Sequence, residues 1–180
     1  MPDGSCFCAE IPVVESRTRV VVVRHIREAW LASNTGHIVN RVLTNSHMVD
    51  HGVLGAPVDL THVLGPDAWL LAPGAEPVVE PRVDTLVVLD GSWGQSFRMK
   101  RRIPPLPALP VLSLPPPRLP PLRMRRGADP TQLATIEAVA AALELLGDPE
   151  PALALRDVFR RMATIMRQLR GYDGVMVRRG

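Results

Sequence analysis

The sequence predicts an α/β fold built on a parallel sheet, and three observations carry that reading. Leu86-Val87-Val88-Leu89 is an unbroken apolar run that stops at Asp90-Gly91-Ser92-Trp93. A continuous rather than alternating run, closed by turn-forming residues, marks a strand buried on both faces, as strands of parallel sheets are. Thr18-Arg19-Val20-Val21-Val22-Val23 repeats the pattern near the start of the chain, and the last third carries apolar residues at helical spacing. Such strands interspersed with helices over 180 residues read as one α/β domain.

Composition narrows the class. With 46% apolar residues the chain can bury a normal core. No apolar stretch approaches the roughly 20 residues that span a bilayer, and the first residues lack the charged-then-apolar order of a signal peptide. A cytoplasmic protein without a membrane partner is expected. Cys6 and Cys8 are the only cysteines, and one intervening residue disfavours a mutual disulfide. A reducing compartment suits them.

The elements follow in order. Thr18 to Val23 is the first strand. His25 to Ala32 is predicted helical, and Ser33-Asn34-Thr35-Gly36 breaks or restarts it. Arg41 to Leu43, Asp67 to Leu71 and Thr85 to Leu89 are predicted as further short strands, the second running into Ala72-Pro73-Gly74 and the third into Asp90-Gly91. His47-Met48-Val49-Asp50-His51 has the spacing of two ligands on one helix face, without a third to anchor a metal. Ile103 to Pro121 holds nine prolines, too many for a helix or a central strand. Polyproline II with short extended pieces is its natural conformation. Leu106, Leu109, Val111, Leu112 and Leu114 favour a packed connection between sheet elements over a solvated ligand for an aromatic groove.

Two helices close the chain. The first starts at Thr131 or Thr135 and runs to Leu146, with Gly147 as the residue that ends it. The second, Pro151 to Leu169, aligns Leu155, Val158, Phe159, Met162, Ile165, Met166 and Leu169 as a core-facing stripe. Arg156, Arg160, Arg167 and Arg170 fall beside it within an arc of roughly 80°, either as an extension of a basic patch or as a solvated flank.

Function is sought at the strand ends, because ligands of open α/β sheets bind outside the carboxyl ends of the strands. Asp90 stands there; the alternative reading is a carboxylate that only holds a turn, with Trp93 filling core. Net charge is +3, but its distribution is lopsided. From Asp50 to Asp90 there are seven acidic residues and one basic one, Arg82. From Gly91 to Ala128 there are eight basic residues (Arg98, Lys100, Arg101, Arg102, Arg118, Arg123, Arg125 and Arg126) and no acidic one. Guanidinium groups pair with phosphates and stack on bases, so a nucleic-acid partner is the favoured reading over a solvated basic face.

At this point several ordered motifs resemble one family. They are Cys6-Phe7-Cys8-Ala9-Glu10-Ile11-Pro12, His25-Ile26-Arg27-Glu28 followed by Ser33-Asn34-Thr35-Gly36, and Leu70-Leu71-Ala72-Pro73-Gly74. Asp90-Gly91-Ser92-Trp93-Gly94-Gln95-Ser96-Phe97-Arg98-Met99, Leu122-Arg123-Met124-Arg125-Arg126 and Ala134-Thr135-Ile136-Glu137-Ala138 continue the series. Together they resemble the DTW-domain family, whose members are tRNA-uridine aminocarboxypropyltransferases related to the SPOUT class of knotted α/β enzymes.

The resemblance implies a SPOUT-like sheet with flanking helices and a C-terminal trefoil knot. It divides the chain into a Cys-x-Cys segment over residues 1–17 and a catalytic domain over 18–180. It implies S-adenosylmethionine as donor and tRNA as partner, with the 3-amino-3-carboxypropyl group moving to N3 of a uridine and methylthioadenosine released. No protein partner is implied. Under this reading Asp90 is the general base that takes the N3 proton. Leu71, Pro73, Gly74, Ser92, Trp93, Thr135 and Glu137 bind the donor, Trp93 by offering an aromatic face and Pro73-Gly74 by close backbone approach. Arg98, Lys100, Arg101, Arg102, Arg125 and Arg126 hold RNA. An RNA methyltransferase using the same donor and a non-catalytic RNA-binding protein are the alternatives.

Three departures from the family pattern stand out. Ser92 replaces the threonine of the family name but keeps the hydroxyl. Ala134 stands where a serine is common, which weakens a purely capping role for Glu137. The Cys-x-x-Cys pair that usually precedes Cys6 and Cys8 is missing from the sequence, so a four-thiolate zinc site is not expected unless the true start lies upstream or another residue completes it.

Overall fold

The computed structural model describes residues 7–55, 57–76, 78, 81–116 and 133–169. Five parallel strands form one sheet in the order β2-β1-β4-β3-β5. They are β1 (Arg19–His25), β2 (Ser46–His51), β3 (Ala68–Leu71), β4 (Thr85–Asp90) and β5 (Val111–Leu112). Interior β1 pairs with β2 from Val20↔Ser46 to His25↔His51 and with central β4 from Arg19↔Thr85 to Arg24↔Asp90. Val20, Val21, Val22, Val23, Leu86 and Val87 have no exposed surface. That is the physical meaning of their unbroken apolar run, since both faces of the sheet are covered.

Among the described residues four helices do the covering: α1 (Gly36–Val42), α2 (Trp93–Arg102), α3 (Thr135–Leu145) and α4 (Pro149–Leu169). α1, α3 and α4 pack on the face that carries Val20, Val22, Leu86 and Val88. Phe7 joins them there, with Arg161 over its ring and paired with Glu10 at 2.6 Å, which ties the chain's start to α4. The opposite face, with Val21, Val23 and Val87, is covered by Met99 and Ile103 of α2 and its exit, and by Leu106 and Leu60.

Several expectations give way to tertiary geometry. His25 to Ala32 is not a helix. Only Ile26–Glu28 forms a short 3₁₀ turn, and Leu31 and Asn34 then donate to carbonyls three residues back, at 3.1 and 2.8 Å. Arg41 to Leu43 is not a strand. Arg41 and Val42 end α1, Leu43 donates to Val39 at 3.0 Å, and only an isolated bridge joins Leu43 to Val14. The second strand is instead Ser46–His51. Residues four apart along a strand lie about 13 Å apart, so His47 and His51 are not neighbours on one turn, and the helix-face ligand reading of that pair fails.

The described part of the proline-rich segment, residues 103–116, is a packed connection, as its leucines imply; residues 117–121 lie outside the described residues. Leu106–Ala108 makes a 3₁₀ turn and Val111–Leu112 becomes the edge strand β5, held by bonds from Leu70 to Pro110 (2.8 Å) and Ala72 to Leu112 (3.1 Å). Proline is tolerated there because an edge strand needs donors on one side only. α3 starts at the later of its two candidate positions and ends at Gly147. Gly147 has φ of +75°, while its N–H reaches the Glu144 carbonyl (3.1 Å) and that of Asp148 the Leu143 carbonyl (2.8 Å). This double bond pattern across a left-handed residue is the Schellman closure.

Candidate functional site

The topology defines a crevice. From β1 the chain turns to α1 on one face of the sheet, while from the neighbouring β4 it turns to α2 on the other. Loops that part in opposite directions leave a gap at the strand ends, the topological switch point of open α/β sheets. Asp90 sits at that gap, opposite Arg24 in register.

Asp90 is 4% exposed and joins three separate segments. Its Oδ1 accepts from Thr135 Oγ1 at the start of α3 (2.6 Å), and its Oδ2 accepts from Asn34 Nδ2 in the loop before α1. Thr35 Oγ1 in turn accepts from the Ile136 N–H at 3.3 Å. Gly36 lies so close that a Cβ there would stand 2.5 Å from Asp90 Oδ2, so this position excludes any side chain unless the carboxylate moves. Asn34 Oδ1 also accepts from the His37 N–H at 3.2 Å. Within Ser33-Asn34-Thr35-Gly36, Asn34 thus orients the strand-end carboxylate, Gly36 leaves it room and Thr35 ties the segment to α3, roles that a reading of those residues as a turn does not reach.

Burial raises the Asp90 carboxyl above the ordinary carboxylate range. The bonds from Thr135 and Asn34 oppose the rise, Glu28 adds to it, and Arg24 opposes it. Arg24 itself is held by Asp50 through bonds of 2.8 and 3.0 Å. A carboxyl that binds protons more tightly folded than unfolded loses stability as pH climbs from the usual carboxylate value to the raised one, and the loss is complete above it. The melting temperature of the parent relative to Asp90→Asn should therefore fall as pH rises through that window. A difference independent of pH would mean that Asp90 titrates normally.

Ser92 and Trp93 open α2. Ser92 Oγ accepts from the Gln95 N–H (3.4 Å) and Gln95 Oε1 accepts from the Ser92 N–H (2.6 Å), a reciprocal capping box. The Ser-x-x-Gln spacing that marks this helix start is legible in the sequence, yet the turn reading of Asp90-Gly91 hides the helix behind it. Trp93 does not fill core: it is 56% exposed and offers its ring to solvent beside the crevice. Glu137 Oε2 accepts from the Ala134 N–H at 3.0 Å. Alanine has no side-chain acceptor to reciprocate, but Glu137 keeps its half of the cap, so the Ala134 substitution does not remove the helix-end role.

Leu71 ends β3, one strand from β4, and is partly buried in the core; Pro73 and Gly74 are exposed in the loop beyond it. Gly74 has φ of +91°, a backbone that favours glycine. Sequence reasoning passes over Ser113, which fixes this loop from the end of β5. Its hydroxyl donates to the Ala72 carbonyl (2.8 Å) and accepts from the Ala75 N–H (2.9 Å). The structure thus brings Asp90 and Thr135 into contact and directs Leu71 to Gly74, Ser92 and Trp93 from the same edge of the sheet.

At the ends of β1 and β2, on the α2 face, His25 and His51 meet edge-to-face with ring centroids 5.9 Å apart. Burial, followed by the neighbouring His51 and Arg27, lowers the His25 pKa, so the neutral ring is favoured.

Arg98, Arg101 and Arg102 are exposed along α2 and Lys100 is partly so, with no acidic side chain among the described residues paired to any of them. Arg125 and Arg126 lie outside the described residues, as do Arg118, Arg123 and Arg170. The arginines of α4 do not extend this patch. α4 lies on the other face of the sheet, where Arg156 pairs with Glu144 and Arg160 with Asp157 at 2.8 Å. Cys6 is outside the described residues. Cys8 is exposed with Arg41 Nη1 at 3.3 Å, and no group of three metal-ligating side chains occurs among the described residues. No helix among them is long and apolar enough to cross a membrane.

A parallel α/β sheet with a buried strand-end aspartate, followed by Gly-Ser-Trp at a helix start, defines the class: the chain belongs to the DTW domain family, whose profile matches residues 1–167. Its fold is similar to that of the SAM-dependent rRNA:acp-transferase Tsr3 from Vulcanisaeta distributa, with a TM-score of 0.57 and 20% identity over 87% of this chain and 80% of that one.

Proposed function

We propose that the chain is a cytoplasmic RNA-modifying transferase that moves the 3-amino-3-carboxypropyl group of S-adenosylmethionine to N3 of a tRNA uridine, with methylthioadenosine as the second product. Family membership supports the reading, and so does the likeness in fold to a protein described as a SAM-dependent rRNA:acp-transferase. The single observation that carries it is a carboxylate at the switch point with a raised pKa, beside an exposed indole and next to a helix whose cations have no acidic partner among the described residues. In this reading residues 18–180 are the catalytic domain, a SPOUT-like sheet with flanking helices and a C-terminal trefoil knot.

The residues at the edge of the sheet fit such a donor. The Leu71 to Gly74 loop, set by Ser113, offers backbone groups and a glycine that permits close approach. Trp93 offers an aromatic face for an adenine or a sulfonium, Ser92 a hydroxyl, and Thr135 and Glu137 polar groups at the start of α3. When bound, the donor supplies a carbon made electrophilic by an attached sulfonium. Everything else falls to the chain. Uridine N3 carries a proton and is a poor nucleophile until it leaves, and in this reading Asp90 is the carboxylate that takes it. A raised pKa suits that task, because a base poised nearer the working pH accepts a proton more readily. As the N3–carbon bond forms, the carbon–sulfur bond breaks with its electron pair staying on sulfur, and the proton resides on Asp90 until exchanged with water.

Incubation of the protein with tRNA and S-adenosylmethionine tests the reading. Mass spectrometry should show aminocarboxypropyl-uridine in the nucleosides and methylthioadenosine in solution. S-adenosylhomocysteine in its place would identify a methyltransferase, and RNA binding without either product a non-catalytic protein. Trp93→Ala should weaken donor binding in a calorimetric titration with little change in melting temperature, because its ring is already exposed. Ser92→Ala should weaken it as well and, by removing the α2 cap, lower stability by about 1 kcal/mol. Unchanged affinity in both variants would remove these residues from the donor site.

A further inference from the structure

α2 carries something beyond charge. Trp93, Phe97 and Arg101 recur every four residues, so about 6 Å of axial rise and 40° of rotation separate each from the next, and they make one stripe on the helix. Met99 and, just past the helix, Ile103 bury the opposite side. Phe97 is 61% exposed although nothing in its position requires an aromatic ring facing water. Arg101 lies over that ring, its guanidinium carbon 5.6 Å from the centroid. Arg98 lies beside the stripe, again exposed and without an acidic partner among the described residues. An exposed ring with a guanidinium over it, among cations and next to a candidate catalytic crevice, has the two components of single-strand recognition: a π-face for a base and positive charge for its backbone.

We propose that Phe97, with Arg101 over its ring, is a stacking platform for an unpaired base of the RNA strand that flanks the modified uridine. This rests on the RNA-modifying reading above and assigns to Phe97 a role distinct from the phosphate contacts of the basic residues. The platform favours a single strand over a duplex, because a paired base presents no free face to stack on. The Phe97 ring itself contributes no charge, so replacing it leaves the salt dependence of binding alone.

The test uses the full chain with two probes, a labelled oligouridylate and a labelled RNA duplex of the same length, followed by fluorescence anisotropy over a salt series. Phe97→Leu should bind the oligouridylate roughly tenfold more weakly, bind the duplex as the parent does, keep the parent's salt slope, and keep its affinity for S-adenosylmethionine. Phe97→Trp should restore the oligouridylate affinity. Parent-like binding by Phe97→Leu overturns the platform, as does equal weakening on both probes or a changed slope. A change of sedimentation coefficient in Phe97→Leu without loss of RNA affinity would assign the ring to a contact between copies of the chain. A parent that binds neither probe and releases no methylthioadenosine with tRNA overturns the functional reading itself. Methylthioadenosine release together with an unaffected Phe97→Leu overturns the platform alone.

Discussion

Asp90→Asn should abolish transfer to RNA while S-adenosylmethionine binding stays close to the parent's and the melting transition at neutral pH is not lowered. The amide keeps the shape of the carboxylate and can keep its ties: its oxygen accepts from Asn34, and its N–H₂ donates to a Thr135 hydroxyl that turns to receive it. What it cannot do is take a proton. Loss of general-base function alone costs on the order of 10²–10⁴ in rate. Single-turnover product formation, read beside donor calorimetry and a thermal melt, separates this from a purely structural part for Asp90. As a base, it loses rate alone. If Asp90 were only the clasp between β4, the Asn34 loop and α3, the amide that keeps those ties would keep the rate as well, and turnover within a fewfold of the parent would end its candidacy as base.

Replacing Arg98, Lys100, Arg101 and Arg102 together by alanine should weaken tRNA binding strongly and flatten its salt dependence by roughly one unit of log–log slope for each phosphate that is no longer neutralised. Donor affinity should barely change. The expectation rests on the position of these side chains along α2, which begins directly after Asp90-Gly91-Ser92, and on the absence of an acidic partner for any of them among the described residues. A slope equal to the parent's would make them a solvated face. Weaker donor binding would instead draw Arg98 into the donor pocket. The arginines of α4 serve as the internal comparison: Arg156 and Arg160 are already paired with Glu144 and Asp157 on the far side of the sheet, and their replacement should leave the salt slope unchanged.

The sequence by itself determined the buried strands and the ends of several elements, because those depend on local pattern. An uninterrupted Val or Leu run has one comfortable place, the interior of a covered sheet, and Val20 to Val23 and Leu86 to Val88 occupy it. Gly147 ended α3 for a reason internal to its own backbone. The leucines among the prolines of 103–114 required a surface to pack on, and the edge of the sheet supplied it. Asp90 was legible as a strand-end carboxylate for the same local reason.

Its partners were not legible. Asn34 and Thr135 lie 56 and 45 positions away from Asp90 in the chain, and only the parallel pairing of β1 with β4, together with α3 packed over that face, brings them to one carboxylate. The same holds for Ser46–His51. Its polar, histidine-bearing residues suit a helix turn as well as a strand, and pairing with the buried β1 decided for the strand. Tertiary structure also set apart the basic residues of two helices, those of α2 without acidic partners among the described residues on one face of the sheet, and Arg156, Arg160 and Arg161 of α4, each paired with a carboxylate, on the other. Charge along a sequence carries no information about which side of a sheet it will occupy. That is fixed by the direction in which each crossover leaves its strand, and here the divergence of β1 and β4 set both the crevice at Asp90 and the surface that α2 turns outward beside it.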